Sequence, residues 1–172
     1  FSFARKPLRG AAGPEGRVDS SAVPLAQVGD RVGRYEILAE LGRGGMGCVF
    51  RARDPELDRT VALKLLRPEA LASDPSLLDR FKQEIKLARR ITHRNVLRTH
   101  DFGETGGVPF ISMEYLEGVT LKDLVRSRGA LPLGVGLSVA KQMCHGLGAA
   151  HETGVVHRDI KPQNMLILPE TG

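Results

Sequence analysis

What the chain lacks removes several classes of function. No stretch of about eighteen apolar residues occurs, so no segment is expected to cross a membrane. The N-terminus has no apolar signal core, and it opens on Phe1 rather than Met, from which a missing natural start is expected. Cys48 and Cys144 are the only cysteines and make no metal pattern, so a reduced, cytoplasmic setting is expected, with any membrane anchor lying outside this segment. His93, His100, His145 and His151 are scattered without metal spacing and read as structural. No internal repeat is found. No stripe of interleaved basic and aromatic residues occurs either, which argues against nucleic acid as a partner.

What is present suits a soluble globular protein. Apolar residues make up 41% and charged residues 26% of 172, enough for one core or a small two-lobed one. The net charge is +5, and residues 1–34 hold six basic against three acidic residues. Most of the excess therefore sits in a leader rich in Gly, Ala, Pro, Ser and Arg, expected to be disordered over 1–30. From Tyr35 the texture changes. Strands are expected over 35–38, 48–52, 60–66, 96–102 and 108–114, the last two around the Gly106-Gly107 turn. One helix is expected over 74–90, capped by Ser73 or Asp74 with Pro75 in its first turn, and burying Leu78, Phe81, Ile85 and Ala88. Further helices are expected over 121–128 and 133–152, the latter turning Leu137, Ala140, Met143, Cys144, Leu147, Ala150 and His151 inward. Two short strands should follow. The result is an α+β chain: a five-stranded antiparallel lobe with one helix over 31–114, then the start of a helical lobe over 115–172.

Three motifs carry chemistry. In His157-Arg158-Asp159-Ile160-Lys161-Pro162-Gln163-Asn164, Asp159 can accept a hydroxyl proton, Lys161 can neutralise charge on a transferred phosphoryl group, and Asn164 offers a neutral oxygen to Mg²⁺. Gly42-Arg43-Gly44-Gly45-Met46-Gly47, followed by Val49, allows the backbone to approach phosphate oxygens closely. A dinucleotide fold would continue from such a run into a helix; here a strand follows, which favours a glycine hairpin folded over ATP. Lys64 lies in an apolar strand and needs partners there; Glu84, on the apolar side of the 74–90 helix, is a candidate.

These motifs, with Tyr35-Glu36-Ile37, Arg53-Asp54-Pro55 and Met113-Glu114-Tyr115-Leu116-Glu117-Gly118, resemble the eukaryotic-type (Hanks-type) serine/threonine protein kinases of bacteria, from about residue 35 onward. The resemblance implies a protein-kinase-like fold and transfer of the γ-phosphoryl of ATP to Ser or Thr of a protein substrate, with ATP and Mg²⁺ as cofactors. It implies Asp159, Lys161, Lys64 and Glu84 as catalytic residues and Asn164 as a metal ligand. Nucleotide contacts are implied for Leu41, Gly42, Arg43, Gly44, Gly45, Met46, Gly47, Val49, Ala62, Lys64, Glu114, Leu116 and Leu166. Val49 and Ala62 would lie above the base, Leu166 below and Met113 at the back. Arg158 implies control through a phosphorylated activation loop, and His157 a backbone-bonding role.

The sequence also departs from the pattern. The family's Asp-Phe-Gly, expected after Asn164, is not among these residues, and Asp101-Phe102-Gly103 stands in the wrong place. The chain is therefore expected to be a kinase fragment that is itself inactive, with the apolar side of the 133–152 helix exposed. A non-catalytic ATP-binding or interaction module is the main alternative, and a small-molecule phosphotransferase fits Arg158 and Lys161-Pro162 less well. Leu168-Pro169-Glu170-Thr171-Gly172 matches a sortase sorting signal in letters but reads as a turn.

Overall fold

The computed structural model describes residues 25–168 apart from 45–46 and 74–75, and the side chains of 77, 80 and 84 also lie outside the description. Strands β1 (Arg31–Val32), β2 (Tyr35–Gly44), β3 (Gly47–Asp54), β4 (Arg59–Leu66), β5 (Thr99–Thr105) and β6 (Val108–Glu114) form one antiparallel sheet in the order β1-β2-β3-β4-β6-β5. The five expected strands are all there, and a two-residue edge strand joins them. The strand expected over 96–102 is displaced: β5 begins at Thr99, because Val96 N–H is drawn into a turn onto His93 O at 3.0 Å. Residues 25–30, expected at the end of the leader, belong to the sheet's surroundings, with Ala26 buried and Gly29 N–H donating to Ile37 O at 2.9 Å.

Alternation along the strands sorts the sheet into two faces. Val61, Leu63 and Leu65 of β4 join Tyr35, Ile37, Cys48, Phe50 and Phe110 in one core. Their neighbours Ala62, Lys64 and Leu66 point the other way, where Leu66 meets Phe81, Ile85 and Ile111 in a second core. That second face holds the site.

The helix expected over 74–90 is α2 (Leu77–Ala88), preceded by a separate short helix, α1 (Pro68–Ser73). Ser73 does not cap α2; its hydroxyl donates back to Glu69 O at 2.8 Å, closing α1. Asp74 and Pro75 lie outside the described residues. Phe81, Ile85 and Ala88 are buried as the periodicity requires, and Leu78 is half-buried. Strand β7 (Val119–Thr120) leads into α3 (Leu121–Arg128), whose first turn is capped by Thr120 Oγ1 accepting from Asp123 N–H at 3.1 Å. Helix α4 (Leu133–Glu152) follows, then a 3₁₀ turn over Pro162–Asn164 and strand β8 (Leu166–Ile167), which pairs with β7. Of the two short strands expected after the catalytic bend, β8 is one; residues 169–172, with the sortase-like letters, lie outside the described residues.

The inward stripe assigned to α4 needs correction. Leu137 is 62% exposed, and Ala140, Cys144 and His151 are exposed as well. The buried positions are Gly146 and Ala150 near its C-terminal end, where Ala150 packs with Ile91 and Val155. Gly146 permits the close approach: a Cβ there would lie 2.9 Å from Asn95 O. Apolar periodicity located the stripe, but only one end of it meets another element.

Asp101-Phe102-Gly103 has a structural explanation within β5. Phe102 packs edge-on against Phe81 at 6.2 Å, and Asp101 is exposed with Arg89 at 3.6 Å. Gly103 faces Phe110 across the ladder, and a Cβ there would sit 2.4 Å from the ring. The three letters reflect sheet packing.

Candidate functional site

A cleft opens between the second face of the sheet and the chain that follows β6. Leu41, Ala62, Leu97 and Met113 line it from the sheet side, and Glu114, Tyr115, Leu116 and Gly118 from the connecting strand. Thr120, Gln163, Met165 and Leu166 close it from below. Ala62 reaches it because β4 alternates, and Met113 because β6 pairs Met113 with Ala62. Leu41 reaches it differently. In β2, Glu40 faces Phe50 and Gly42 faces Val49, so Leu41 is the extra residue of a β-bulge. Gly118 fits because β7 and β8 run close: a Cβ there would stand 2.6 Å from Ile167 O. The lining is mostly apolar with a few polar groups, the make-up of a small-molecule site.

The floor of the cleft is continuous with the bend over 157–164. Gln163, Met165 and Leu166 face the cleft, while Asn164 between them is buried and turns to Asp159. Asn164 Nδ2 donates to Asp159 O at 2.8 Å and to Asp159 Oδ2 at 3.0 Å, and Lys161 Nζ stands 2.6 Å from the same Oδ2. The Lys161 ammonium, then the Asn164 amide, hold the Asp159 carboxyl below its usual range, so it is ionised at neutral pH. Because the Asn164 amide nitrogen is committed to Asp159, its oxygen is the atom left to offer a hard cation. Among the described residues no group of three His, Cys, Asp or Glu side chains gathers to hold a metal alone.

The bend is held by local bonds. Asp159 N–H donates to His157 O at 2.9 Å and lies 3.2 Å from His157 Nδ1, a tight turn that puts Arg158 at φ 61°. A non-glycine residue there stores strain, a recurring property of functional bends. Burial keeps the His157 imidazole below its ordinary value, so Nδ1 stays a neutral acceptor.

The remaining expected residues distribute as follows. Lys64 pairs in register with Val49 and Ile111, is half-buried, and has its ammonium 5.9 Å from the Phe81 ring centroid. Glu84 lies in α2 one turn beyond Phe81; its side chain is outside the described residues. Gly45 and Met46 are outside them too. Gly42, Arg43, Gly44 and Gly47 form the hairpin end of β2 and β3, and Arg43 is engaged by Glu40. Val49 shares a face with Lys64 but is not among the cleft-lining residues. Sequence reasoning missed Leu97, Tyr115, Gly118, Thr120, Gln163 and Met165. Of these, Tyr115, Gly118 and Gln163 lie inside the motifs at 113–118 and 157–164, and Thr120 stands three residues before an aspartate at a helix start; Leu97 and Met165 carried no signal.

The chain is similar to known proteins in sequence and in fold. The family model described as "Protein kinase domain" matches residues 35–172. The chain is 41% identical over 141 residues to the serine/threonine-protein kinase PrkC of Bacillus subtilis, covering 81% of this chain and 22% of that protein. It is 40% identical over 137 residues to a probable serine/threonine-protein kinase of Clostridium perfringens, covering 80% and 20% respectively. Among solved structures, the PknI kinase domain of Mycobacterium tuberculosis superposes with a TM-score of 0.76 at 32% identity, covering 83% of this chain and 58% of that one. The chain thus spans about a fifth of the length of the curated relatives it matches.

Proposed function

Since the chain belongs to the protein kinase family, in the bacterial serine/threonine branch, we propose that it is part of an enzyme moving the γ-phosphoryl of ATP to a Ser or Thr hydroxyl of a protein substrate. The observation that carries this reading is the shared segment of 163–166, whose alternate residues floor the cleft and fix Asp159. Lys64 lies on the same face of the sheet as Ala62, which lines the cleft, so its ammonium is available to phosphates of a nucleotide held there.

Each residue then has a physical task. Ala62 and Leu41 cover the base, and Leu166 supports it. Glu114 N–H is already given to Arg98 O at 2.8 Å, so Glu114 serves the base as a carbonyl acceptor, with Leu116 supplying an N–H. Lys64, oriented by Glu84, binds the α- and β-phosphates. Asp159, ionised and aimed by Asn164, orients the attacking hydroxyl and takes its proton. Lys161 offsets charge on the moving phosphoryl group. Mg²⁺, when bound, supplies positive charge to the phosphate oxygens, and Asn164 Oδ1 is the group that would hold it. No helix among the described residues is long and apolar enough to cross a membrane, and we place the reaction in the cytoplasm.

The Mg²⁺-binding aspartate of Asp-Phe-Gly, implied by the resemblance as the partner of Asn164, is not among these 172 residues. The polypeptide itself is therefore proposed to bind nucleotide without efficient transfer, which is also what a non-catalytic ATP-binding module would do. Titration with ATP, with and without Mg²⁺, tests the site. Saturable binding strengthened by Mg²⁺ and lost in Lys64→Ala is expected; binding indifferent to Lys64→Ala would refute the assignment. Rapid phosphorylation of a Ser/Thr-rich protein by the purified chain would refute the proposed inactivity.

A further inference from the structure

Side chains alternate along a regular strand, so residues three apart point to opposite faces. Glu40 and Arg43 are three apart in β2, yet they form a two-pronged ion pair. Arg43 Nε donates to Glu40 Oε1 at 3.2 Å and Nη2 donates to Oε2 at 2.8 Å. The ladder explains how they meet. Glu40 stands opposite Phe50 and Arg43 opposite Cys48, two residues buried in the same core. Leu41 is the extra residue between them, and it lines the cleft. Remove the bulge and the register parity changes, so Glu40 and Arg43 part company. The fork therefore depends on the bulge, and in turn spans it.

We infer that the Glu40–Arg43 fork locks the bulge at Leu41 and thereby positions the roof of the base-binding cleft. The inference rests on the reading of this cleft as a nucleotide site. Arg43 acts here through Leu41; its register places it on the face of the sheet away from the one that carries Lys64 and Ala62. Both partners are about 40% exposed, a setting in which a single-pronged pair contributes little; the two-pronged geometry gives this one directional stiffness. Arg43 also holds the Glu40 carboxyl below its usual range, so the pair persists at neutral pH.

The test is calorimetric titration of the 172-residue protein with adenosine and, separately, with ATP and Mg²⁺. Arg43→Ala and Glu40→Ala should each weaken both ligands by the same factor, about three- to five-fold. The charge-exchanged double variant E40R/R43E should recover most of that loss. In a Leu41→Ala background, Arg43→Ala should add nothing, because the group it positions is gone. A loss confined to ATP would overturn the inference, since Arg43 would then be touching phosphate. Full additivity with Leu41→Ala would overturn it too. Amide hydrogen exchange of residues 41–44 in the ligand-free protein gives an independent readout: Arg43→Ala should accelerate it, and unchanged exchange overturns the inference. Should wild type bind neither ligand, the nucleotide reading fails while the exchange result still decides the role of the fork.

Discussion

Replacing Gly47 by alanine separates two reasons for a glycine in the hairpin over the cleft. If the run exists only to let phosphates approach, Gly44 and Gly47 should be equally tolerant in the ligand-free protein. The structure says otherwise. A Cβ at Gly47 would lie 1.9 Å from Leu65 O and 3.2 Å from Leu66 Cα, whereas at Gly44 nothing stands within 4 Å. Normal contact requires β3 and β4 to separate locally by roughly 1 Å, which is overpacking against backbone and costs about 1–3 kcal/mol. Losing one ladder hydrogen bond at Gly47–Leu66 adds about 1 kcal/mol, for a total of about 2–4 kcal/mol. That is a large share of the roughly 5–15 kcal/mol holding a typical domain together. Urea denaturation followed by circular dichroism measures it. With a slope of about 2 kcal/mol/M, Gly47→Ala should lower the midpoint by about 1–2 M. Gly44→Ala should leave it within about 0.3 M, as for an unconstrained surface change of about 0.5 kcal/mol. Equal midpoints for the two variants would refute the steric account.

Three further outcomes are expected. Lys161→Ala removes the largest influence lowering the Asp159 carboxyl, so its titration, followed by ¹³C NMR, should move up toward the ordinary carboxylate range; no movement would place Lys161 elsewhere in solution. Arg158→Gly should relieve the strain at φ 61°, leaving the protein about 1 kcal/mol more stable than Arg158→Ala by chemical denaturation. Burial holds His157 below 6.5, so the folded chain binds fewer protons there than the unfolded one. Its contribution is complete above 6.5 and lost as pH falls through the folded value. Since burial lowers His100 likewise, the comparison needed is wild type against His157→Gln, whose stability should fall less between about pH 7 and 5.

Much of this was legible in the chain because the governing physics is local. Alternation in Val61-Ala62-Leu63-Lys64-Leu65-Leu66 sets which residues face the cleft, and the spacing of Phe81, Ile85 and Ala88 sets the buried face of α2. Asp159, Lys161 and Asn164 lie within six residues, so their meeting needs only a tight bend. What escaped depends on distant partners. The bulge at Leu41 is defined by its register against β3, and no composition rule marks it. Val119–Thr120 is too short to announce itself as a strand without Leu166–Ile167 beside it. Helix α4 divides the two: its apolar side is exposed as expected, with Leu133 79% and Leu137 62% exposed, while the rhythm alone could not say that Gly146 and Ala150 are the positions another element covers.

The pairing of β7 with β8 has a mechanical corollary. With Leu121 N–H also donating to Met165 O at 2.8 Å, the chain leaving the first lobe and the end of the 157–164 bend are splinted into a single plate. Leu166 sits on that plate, two residues from Asn164, with Gly118 packed beside it. A displacement of that plate is therefore shared by the floor of the cleft and by Asn164, which holds Asp159, so the shape of the cleft and the setting of that carboxylate are geared together rather than set separately.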